Sequence, residues 1–578
     1  MKRTVSNATL ANWQRLGSNN KKLLHRANKT DSLRKIFPDK YISNKENKKQ
    51  ILAIADYIAE NKLTPTRFIC QLAVHEVTFS ANICPANKTR FYQEALVLVP
   101  NLAQLPDSKL FKVDLQEPDF LGALYQTLQA EGARNKNGLY YTPADVADKL
   151  LGQMSFSSDQ DFFDPAVGTG IFLIELVKKF AIPVANLHGR DIDPIAVILA
   201  TANILLQAPA NDDSYPDIKV SDYLKTPVVQ KYTNIIGNPP WGAKKMTGVD
   251  FSKFKKADSF AYFIEKSFQT LNTNGSLAFV LPVSILNITR HQPIRQLILT
   301  KSLLKSITYL PRLFQGVVSD VVLLVLRKAE RANNTVTFIN GPQQIELAQE
   351  TFKSLPHQNL LPVRSCDRQI LQNVWHTAHA DLSSSTWGLG IVTGNNRKFV
   401  LSEKTQGTEP LITGKEVRPF VLRRPQSYLE FLPAKFQQTA AESIYRSPEK
   451  LIYKFINNHL VFAYDNQKRL TLNSANILVP KVPTHSTKTV MAFLNSQLFQ
   501  YLNQILFASP KVLRGNLEEL PIALLSDKER KSLEKLVTQQ LAGQDLRKEI
   551  DKFIFAKYGL TQFQIARIKQ VLATNIFE

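Results

Sequence analysis

Residues 232–245 read YTNIIGNPPWGAKK, a short apolar run that ends in Asn238, Pro239, Pro240 and Trp241. Proline has no N–H to donate and a fixed φ, so two in succession end a strand and stiffen the turn beyond it. An amide oxygen and a backbone carbonyl held this way are two acceptors without rotatable slack. An amino group conjugated to an aromatic base is a poor nucleophile because its lone pair belongs to the ring. If Asn238 and the Pro239 carbonyl each accept one of its hydrogens, the nitrogen moves toward tetrahedral and the lone pair is released, which is preorganised electrostatic catalysis. Trp241 then offers a flat face for a base turned out of its stack. An isolated Asn-Pro-Pro-aromatic also occurs as an Asx turn with a packed indole, so the surroundings decide.

Those surroundings carry chemistry of their own. FFDPAVGTGIFLIELVKK sets Asp164, Gly168 and Gly170 in a turn between a strand and a helix, where glycine lets backbone approach a ligand at the carboxyl edge of a parallel sheet. The spacing is neither G-x-G-x-x-G nor a phosphate loop, which weakens NAD and ATP as ligands. The next strand ends in LHGRDIDP, where Asp191 is placed to accept both hydroxyls of a ribose, and a third ends in KVSDYL, offering Asp222 to an exocyclic amine and Tyr223 as a stacking face. An Asp at a strand end is often only a helix cap. Three acids on successive strand tips instead describe a pocket for a cationic nucleoside.

The elements that must position these residues can be read from periodicity. Residues 1–130 read as a helical extension, with apolar positions three and four apart in KKQILAIADYIAEN and PDFLGALYQTLQAEG. Residues 131–335 alternate short apolar strands with amphipathic stretches, the pattern of an α/β doubly wound, Rossmann-like sheet. Strands are expected near 162–163, 184–189, 218–220, 234–236, 277–281 and 321–326. Residues 336–525 read as a mixed α+β domain, and residues 526–578 as a helical tail capped by Ser526.

The chain has 578 residues, too many for one core, and its 44% hydrophobic and 21% charged residues are those of a globular protein. No run is long and apolar enough to span a bilayer, and the N-terminus lacks the apolar core of a signal peptide. Cys70, Cys84 and Cys366 are widely spaced and odd in number, which fits a reducing compartment and argues against a cysteine metal site. The 72 Lys and Arg exceed the 49 Asp and Glu by 23, an excess that points to a polyanionic partner. It is uneven: residues 1–50 hold 13 cationic against 3 acidic residues, and residues 355–525 hold 19 against 11.

GLYYTPADVADKL, DPAVGTGIFL, GRDIDP, SDYL, NPPW and LFQGVVSDVVLLVL, in that order, resemble the motif series of the gamma-class N6-adenine DNA methyltransferases of type II restriction–modification systems. The resemblance implies a fold of the S-adenosylmethionine-dependent methyltransferase type. It implies that Tyr141, Thr142 and Pro143 cover the methionine end of S-adenosylmethionine and that Asp164, Ala166, Gly168 and Gly170 cradle it. Asp191 would hold the ribose, and Asp222 with Tyr223 the adenine ring. Asn238, Pro239, Pro240 and Trp241 would be the catalytic turn, with Phe314 the second stacking wall for the flipped base. Trp at the last motif position, where Tyr or Phe is commoner, keeps the π-face and loses a hydroxyl.

More weakly, PLITGKEVRPF and VMAFLNSQLFQYLNQILFASPKVLRGNLEELPI resemble target-recognition domains. That makes Lys415, Arg418, Arg423, Arg424, Lys468, Arg469, Lys511 and Arg514 candidates for DNA contact.

The expected activity is therefore methyl transfer from S-adenosylmethionine to adenine N6 in a short duplex DNA sequence, without a metal and without a covalent enzyme intermediate; the same amine chemistry applies to cytosine N4, and the aromatic motif and its order favour adenine. The expected setting is the prokaryotic cytoplasm, with the protein a monomer on DNA and any cognate endonuclease acting separately. One alternative is a fused endonuclease–methyltransferase, since Pro38-Asp39 and Glu60-Asn61-Lys62 match the letters of a nuclease site although the latter reads as helix. Another is amine methylation on RNA or protein, which leaves the basic C-terminal region without a task. A specificity subunit without chemistry has no need of the amine acceptors. Cytosine C5 chemistry needs a cysteine normally following proline, and these three follow Ile, Ile and Ser.

Overall fold

The computed structural model describes residues 42, 44–102, 119–128, 142–210, 212–241, 257–310, 320–329, 333–507 and 511–574. Two compact units divide the chain, one spanning His25–Lys353 and one holding Ser354–Glu578.

The first unit opens with helices. In α1 (Lys45–Glu60), Asn44 caps the start by accepting the Glu46 N–H at 2.8 Å, and Ile51, Ile54, Ala55 and Ile58 form the buried stripe. Both α2 (Pro65–Phe79) and α3 (Pro85–Leu98) begin on proline, whose missing N–H has no partner to lose in a first turn. α4 (Phe120–Leu128) is buried along its whole length. Glu60, which a nuclease site requires at a strand end, closes α1 instead, while Pro38 and Asp39 lie outside the described residues.

After α5 (Ala144–Leu151) the chain alternates β1 (Phe162–Asp164), α6 (Ile171–Phe180), β2 (Leu187–Asp191), α7 (Pro194–Gln207), β3 (Asp217–Val220) and β4 (Tyr232–Gly237). Then come α8 (Ser259–Thr270), β5 (Leu271–Pro282), α9 (Gln292–Lys301), β6 (Ser302–Leu310), β7 (Val321–Lys328), β8 (Thr335–Asn340) and β9 (Gln343–Ala348). These strands form one nine-stranded sheet in the order β3-β2-β1-β4-β5-β7-β6-β8-β9. β1 to β5 pair in parallel, and β7 runs antiparallel between β5 and β6. Asp164 lies opposite Gly189 and Asp191 opposite Val220, so the carboxyl ends of β1, β2 and β3 share an edge. β4 continues that edge on the other side of β1, which makes this the switch point where such sheets bind ligands.

The helical extension is not walled off from the sheet: Ile198, Leu199, Ala202 and Leu205 of α7 belong to the same apolar cluster as α1, α2 and α4. Three strands escape a reading by pattern. β6 carries polar residues at 302, 305, 306 and 308 that interrupt any apolar run, and the β8–β9 hairpin carries the sheet beyond the expected boundary at residue 335.

The second unit contains a four-stranded antiparallel sheet of Thr386–Gly388, Ala475–Val479, Lys450–Lys454 and Phe462–Asp465, and a three-stranded one of Ser427–Leu429, Glu409–Ile412 and Leu470–Thr471. The expected tail forms three helices, Asp527–Leu541, Arg547–Lys557 and Gln562–Ala573, the first capped reciprocally by Ser526 and Glu529. They belong to this unit rather than standing apart. Arg567 of the last helix donates to both oxygens of fully buried Asp367, at 3.0 and 3.1 Å, and the Tyr501 hydroxyl adds a third bond at 2.8 Å.

Removing one member of a buried ion pair strands the other, at about 3–5 kcal/mol. Arg567→Ala is expected to lower stability by that order in denaturant titration, while Arg530→Ala, whose pairs lie at the surface, should cost at most about 1 kcal/mol. Equal effects would remove the Asp367 network as the tie for the last helix.

Candidate active site

The glycine turn after β1 is built from left-handed backbone, with Gly168 at φ 52° and Gly170 at φ 95°. Asp164 is 1% exposed and accepts the Ala166 N–H at 3.0 Å. Asp191 is also buried, and it accepts the Gly168 N–H at 2.9 Å on one oxygen and the Asp193 N–H at 2.9 Å on the other. Asp191 thus links two turns. Burial disfavours the charged form of both. It pushes Asp164 up to about 8, with the charge of Asp191 adding to the rise, and Asp191 up to about 6.

Asp222 lies half-buried beyond β3, accepting the Leu224 N–H and pairing with Lys225 at 3.1 Å. Tyr223 corrects an expectation. Its ring points into the core, packed against Phe163 and Phe263, and its hydroxyl meets Thr270 Oγ1 at 2.7 Å, so it presents no open face to a ligand. Apolar surface at the edge comes instead from Ile192, 70% exposed, and Val220, 41% exposed. The letters DIDP carry the signal for the first of these, an isoleucine between two acids where α7 has not begun.

Gly237 ends β4 at φ 147°, and a Cβ there would lie 2.6 Å from Asp164 Oδ1. The next residue, Asn238, donates through Nδ2 to Thr142 Oγ1 at 3.2 Å. That bond ties the side-chain amide to the segment just ahead of α5. Thr142, expected to cover the methionine end of a cofactor, therefore has its hydroxyl on the Asn238 amide. It is itself buried and sits just ahead of Pro143, which caps α5. The Pro240 carbonyl accepts a short bond from Ser259 Oγ. Asp258, beside that serine, accepts from Arg290 at 2.6 Å and His291 at 3.1 Å, tying the start of α8 to the turn before α9. Trp241 packs partly buried against the sheet core. Tyr141 and Phe314 lie outside the described residues.

In the second unit the basic candidates divide. Arg469 binds fully buried Asp465 at 3.1 Å and shares it with Lys450 at 2.6 Å, while Arg514 pairs with Glu518 at 2.7 Å, so both arginines already have a carboxylate partner. Arg418 donates to the carbonyls of Lys415 and Val417. Lys511 forms an isolated bridge with Ile456. Lys415, Arg423, Arg424 and Lys468 are exposed, and no carboxylate pairs with them among the described residues. Lys454, which no sequence motif singles out, joins this group: burial and then the like charges of Arg418 and Arg423 hold its ammonium below the ordinary lysine range.

The family model for N-6 DNA methylases matches residues 116–379, and that for a TaqI-like C-terminal specificity domain matches residues 409–522. The Type II methyltransferase M.VspI of Vibrio sp. (strain 343) is 30% identical over 313 residues, covering 52% of this chain and 75% of that protein. The Type II methyltransferase M.CvrRI of Paramecium bursaria Chlorella virus XZ-6E is 29% identical over 200 residues, and the match spans about half of it, 49%. Among solved structures, the Type IIL restriction–modification enzyme MmeI, determined in complex with DNA, aligns over 99% of both chains with a TM-score of 0.55 at 12% identity, a likeness of fold.

Because Asp164 holds its proton to a higher pH folded than unfolded, its burial weakens the fold as pH rises from about 4 to about 8. Asp164→Asn removes that penalty. The variant's melting temperature relative to wild type is expected to climb between pH 5 and pH 8, and parallel curves would show that the carboxyl is ionised throughout.

Proposed function

We propose, since this chain belongs to the N-6 DNA methylase family, that residues 142–241 carry methyl transfer from S-adenosylmethionine to the N6 amino group of an adenine turned out of duplex DNA. The observation that carries this reading is the Asn238 amide, hydrogen-bonded to Thr142 and set at the sheet edge one residue after Gly237, which itself closes on Asp164.

The residues at the edge fit a nucleoside bearing a cation. Left-handed glycines open the turn, buried carboxyls stand at two strand tips, and Ile192 with Val220 gives an apolar surface for a ring. Asp164, Ala166, Gly168 and Gly170 would hold the donor, with Asp191 at its ribose and Asp222 at its adenine. When bound, S-adenosylmethionine supplies a methyl group made electrophilic by its sulfonium. Asn238 Oδ1 and the Pro239 carbonyl accept the amino hydrogens and free the nitrogen lone pair. Two prolines and the Ser259 bond to Pro240 keep those acceptors from relaxing away. Trp241 and Phe314 would stack the extrahelical base.

The specificity unit would read the duplex through Lys415, Arg423, Arg424 and Lys468, with Lys454 and Arg418 on the same charged face. Arg469 and Arg514, already held by carboxylates, would shape that surface. The setting this supports is a restriction–modification system in which the chain marks DNA, alone on its site, and a separate endonuclease cuts unmarked sequence.

Incubating plasmid with the purified protein and S-adenosylmethionine, then sequencing with modified bases resolved, is expected to find N6-methyladenine at one short motif; methyl groups on cytosine, RNA or protein would overturn the reading. Asn238→Ala should lower the transfer rate by about 10²-fold or more while donor affinity stays near wild type. Undiminished turnover would remove Asn238 from the mechanism. Arg423→Ala and Arg424→Ala should each reduce the slope of log affinity against log salt by roughly one, and an unaltered slope would take these arginines off the phosphates.

A further inference from the structure

Beyond the residues assigned above, a hydrogen-bonded ring joins the helical extension to both cofactor turns. Asp119, just ahead of α4, accepts the Thr169 hydroxyl at 2.7 Å and Asn203 Nδ2 at 2.9 Å. Asn203 also donates to the Thr169 carbonyl at 3.0 Å. Thr169 follows Gly168, whose N–H goes to Asp191 Oδ2, and the other Asp191 oxygen takes the Asp193 N–H. Asp193 caps α7 through the Ile195 N–H at 3.0 Å, and its second oxygen accepts the Tyr125 hydroxyl at 2.7 Å. Tyr125 stands on α4, so the circuit closes on the helix where it began.

Several features mark the ring as built rather than incidental. Asp119 holds a left-handed φ of 57°, a region sparsely used by residues with a side chain, and its carboxylate caps α4 through the Gly122 N–H at 2.9 Å. A Cβ at Gly122 would fall 2.1 Å from Asp119 Oδ1 and 2.3 Å from Thr169 Oγ1, so only hydrogen fits beneath the contact. The ring's members come from α4, the glycine turn, α7 and the β2 tip, spread over 84 residues between Asp119 and Asn203.

We propose that Asp119 and Tyr125 are positioning residues for S-adenosylmethionine, which hold the glycine turn and the Asp191–Asp193 turn in the spacing that the nucleoside needs. The helical extension thereby sets donor affinity without touching the donor. This rests on the reading of Asp164, Gly168 and Asp191 as the donor site. Tyr125→Phe deletes one bond of the ring and leaves the buried ring of the side chain in place. Thr169→Val deletes another from the opposite side, and Thr169→Ser restores it.

The test is calorimetric titration of the full chain with S-adenosylmethionine, alongside thermal unfolding and single-turnover methylation at saturating donor. One bond of this kind corresponds to roughly a three- to tenfold change in dissociation constant. Tyr125→Phe and Thr169→Val are each expected to weaken donor binding by that factor with the transfer rate at saturation within about twofold of wild type. Thr169→Ser should bind as wild type does. The double variant should fall short of the product of the single effects, because a ring opened once has less to lose at the second break. Wild-type affinity in both folded single variants overturns the inference. Failure of the wild type itself to bind the donor defeats the underlying reading instead, and the same titration separates the two.

Discussion

A side chain at position 237 would put its Cβ 2.6 Å from Asp164 Oδ1, and the arrangement of the site depends on the hydrogen that stands there instead. β1 and β4 are parallel neighbours, so their carboxyl ends meet side by side. Glycine lets β4 close on the buried carboxyl and then turn at φ 147°, a backbone value that a side chain resists. From that turn the two prolines project Asn238 along the same edge as the acids. Donor side and acceptor side are thereby brought to one rim by a contact within the sheet, before any ligand is considered.

The second constraint is electrostatic. Asp164 and Asp191 lie buried at the rim with no lysine or arginine against them among the described residues, and burial pushes them up to about 8 and 6. Buried carboxyls without cations weaken a fold, and such groups persist where a ligand or a network makes use of them. Here each accepts backbone or side-chain hydrogen bonds that lock a turn. A donor carrying positive charge would meet a site already shaped and short of a counter-ion. The basic charge of the second unit gathers elsewhere, where Arg418, Arg423 and Lys454 crowd one another.

Membership of the N-6 DNA methylase family gives these features a common purpose, and the TaqI-like specificity domain matched at 409–522 falls wholly within the second compact unit. The family model begins at residue 116, which takes in α4 and so includes the helix that carries Asp119 and Tyr125. The extension and the sheet share an apolar interior through α7, and the polar ring reaches the cofactor turns through the same helix.

Residue order alone was enough for the parts that are local. The strands near 162–163, 184–189 and 234–236, each within two residues of its observed end, the glycine turn, the proline stop after Asn238 and the capped helix after Ser526 all depend on residues within a few positions of one another, where backbone preference and periodicity act directly. Contacts that cross the chain were settled by folding. Tyr223 turned inward because Phe163, Phe263 and Thr270 close over it, and SDYL says nothing of them. Thr142 found Asn238 across 96 residues, and Asp119 found Thr169 across 50. Lys454 gained neighbours in Arg418 and Arg423 that its own surroundings in sequence do not suggest, whereas Arg469 and Arg514 pair with acids only four positions away. A hydrogen bond is decided by a few tenths of an ångström between groups brought together by packing. Patterning along the chain specifies which face of an element is apolar, and it leaves those last ångströms to the fold.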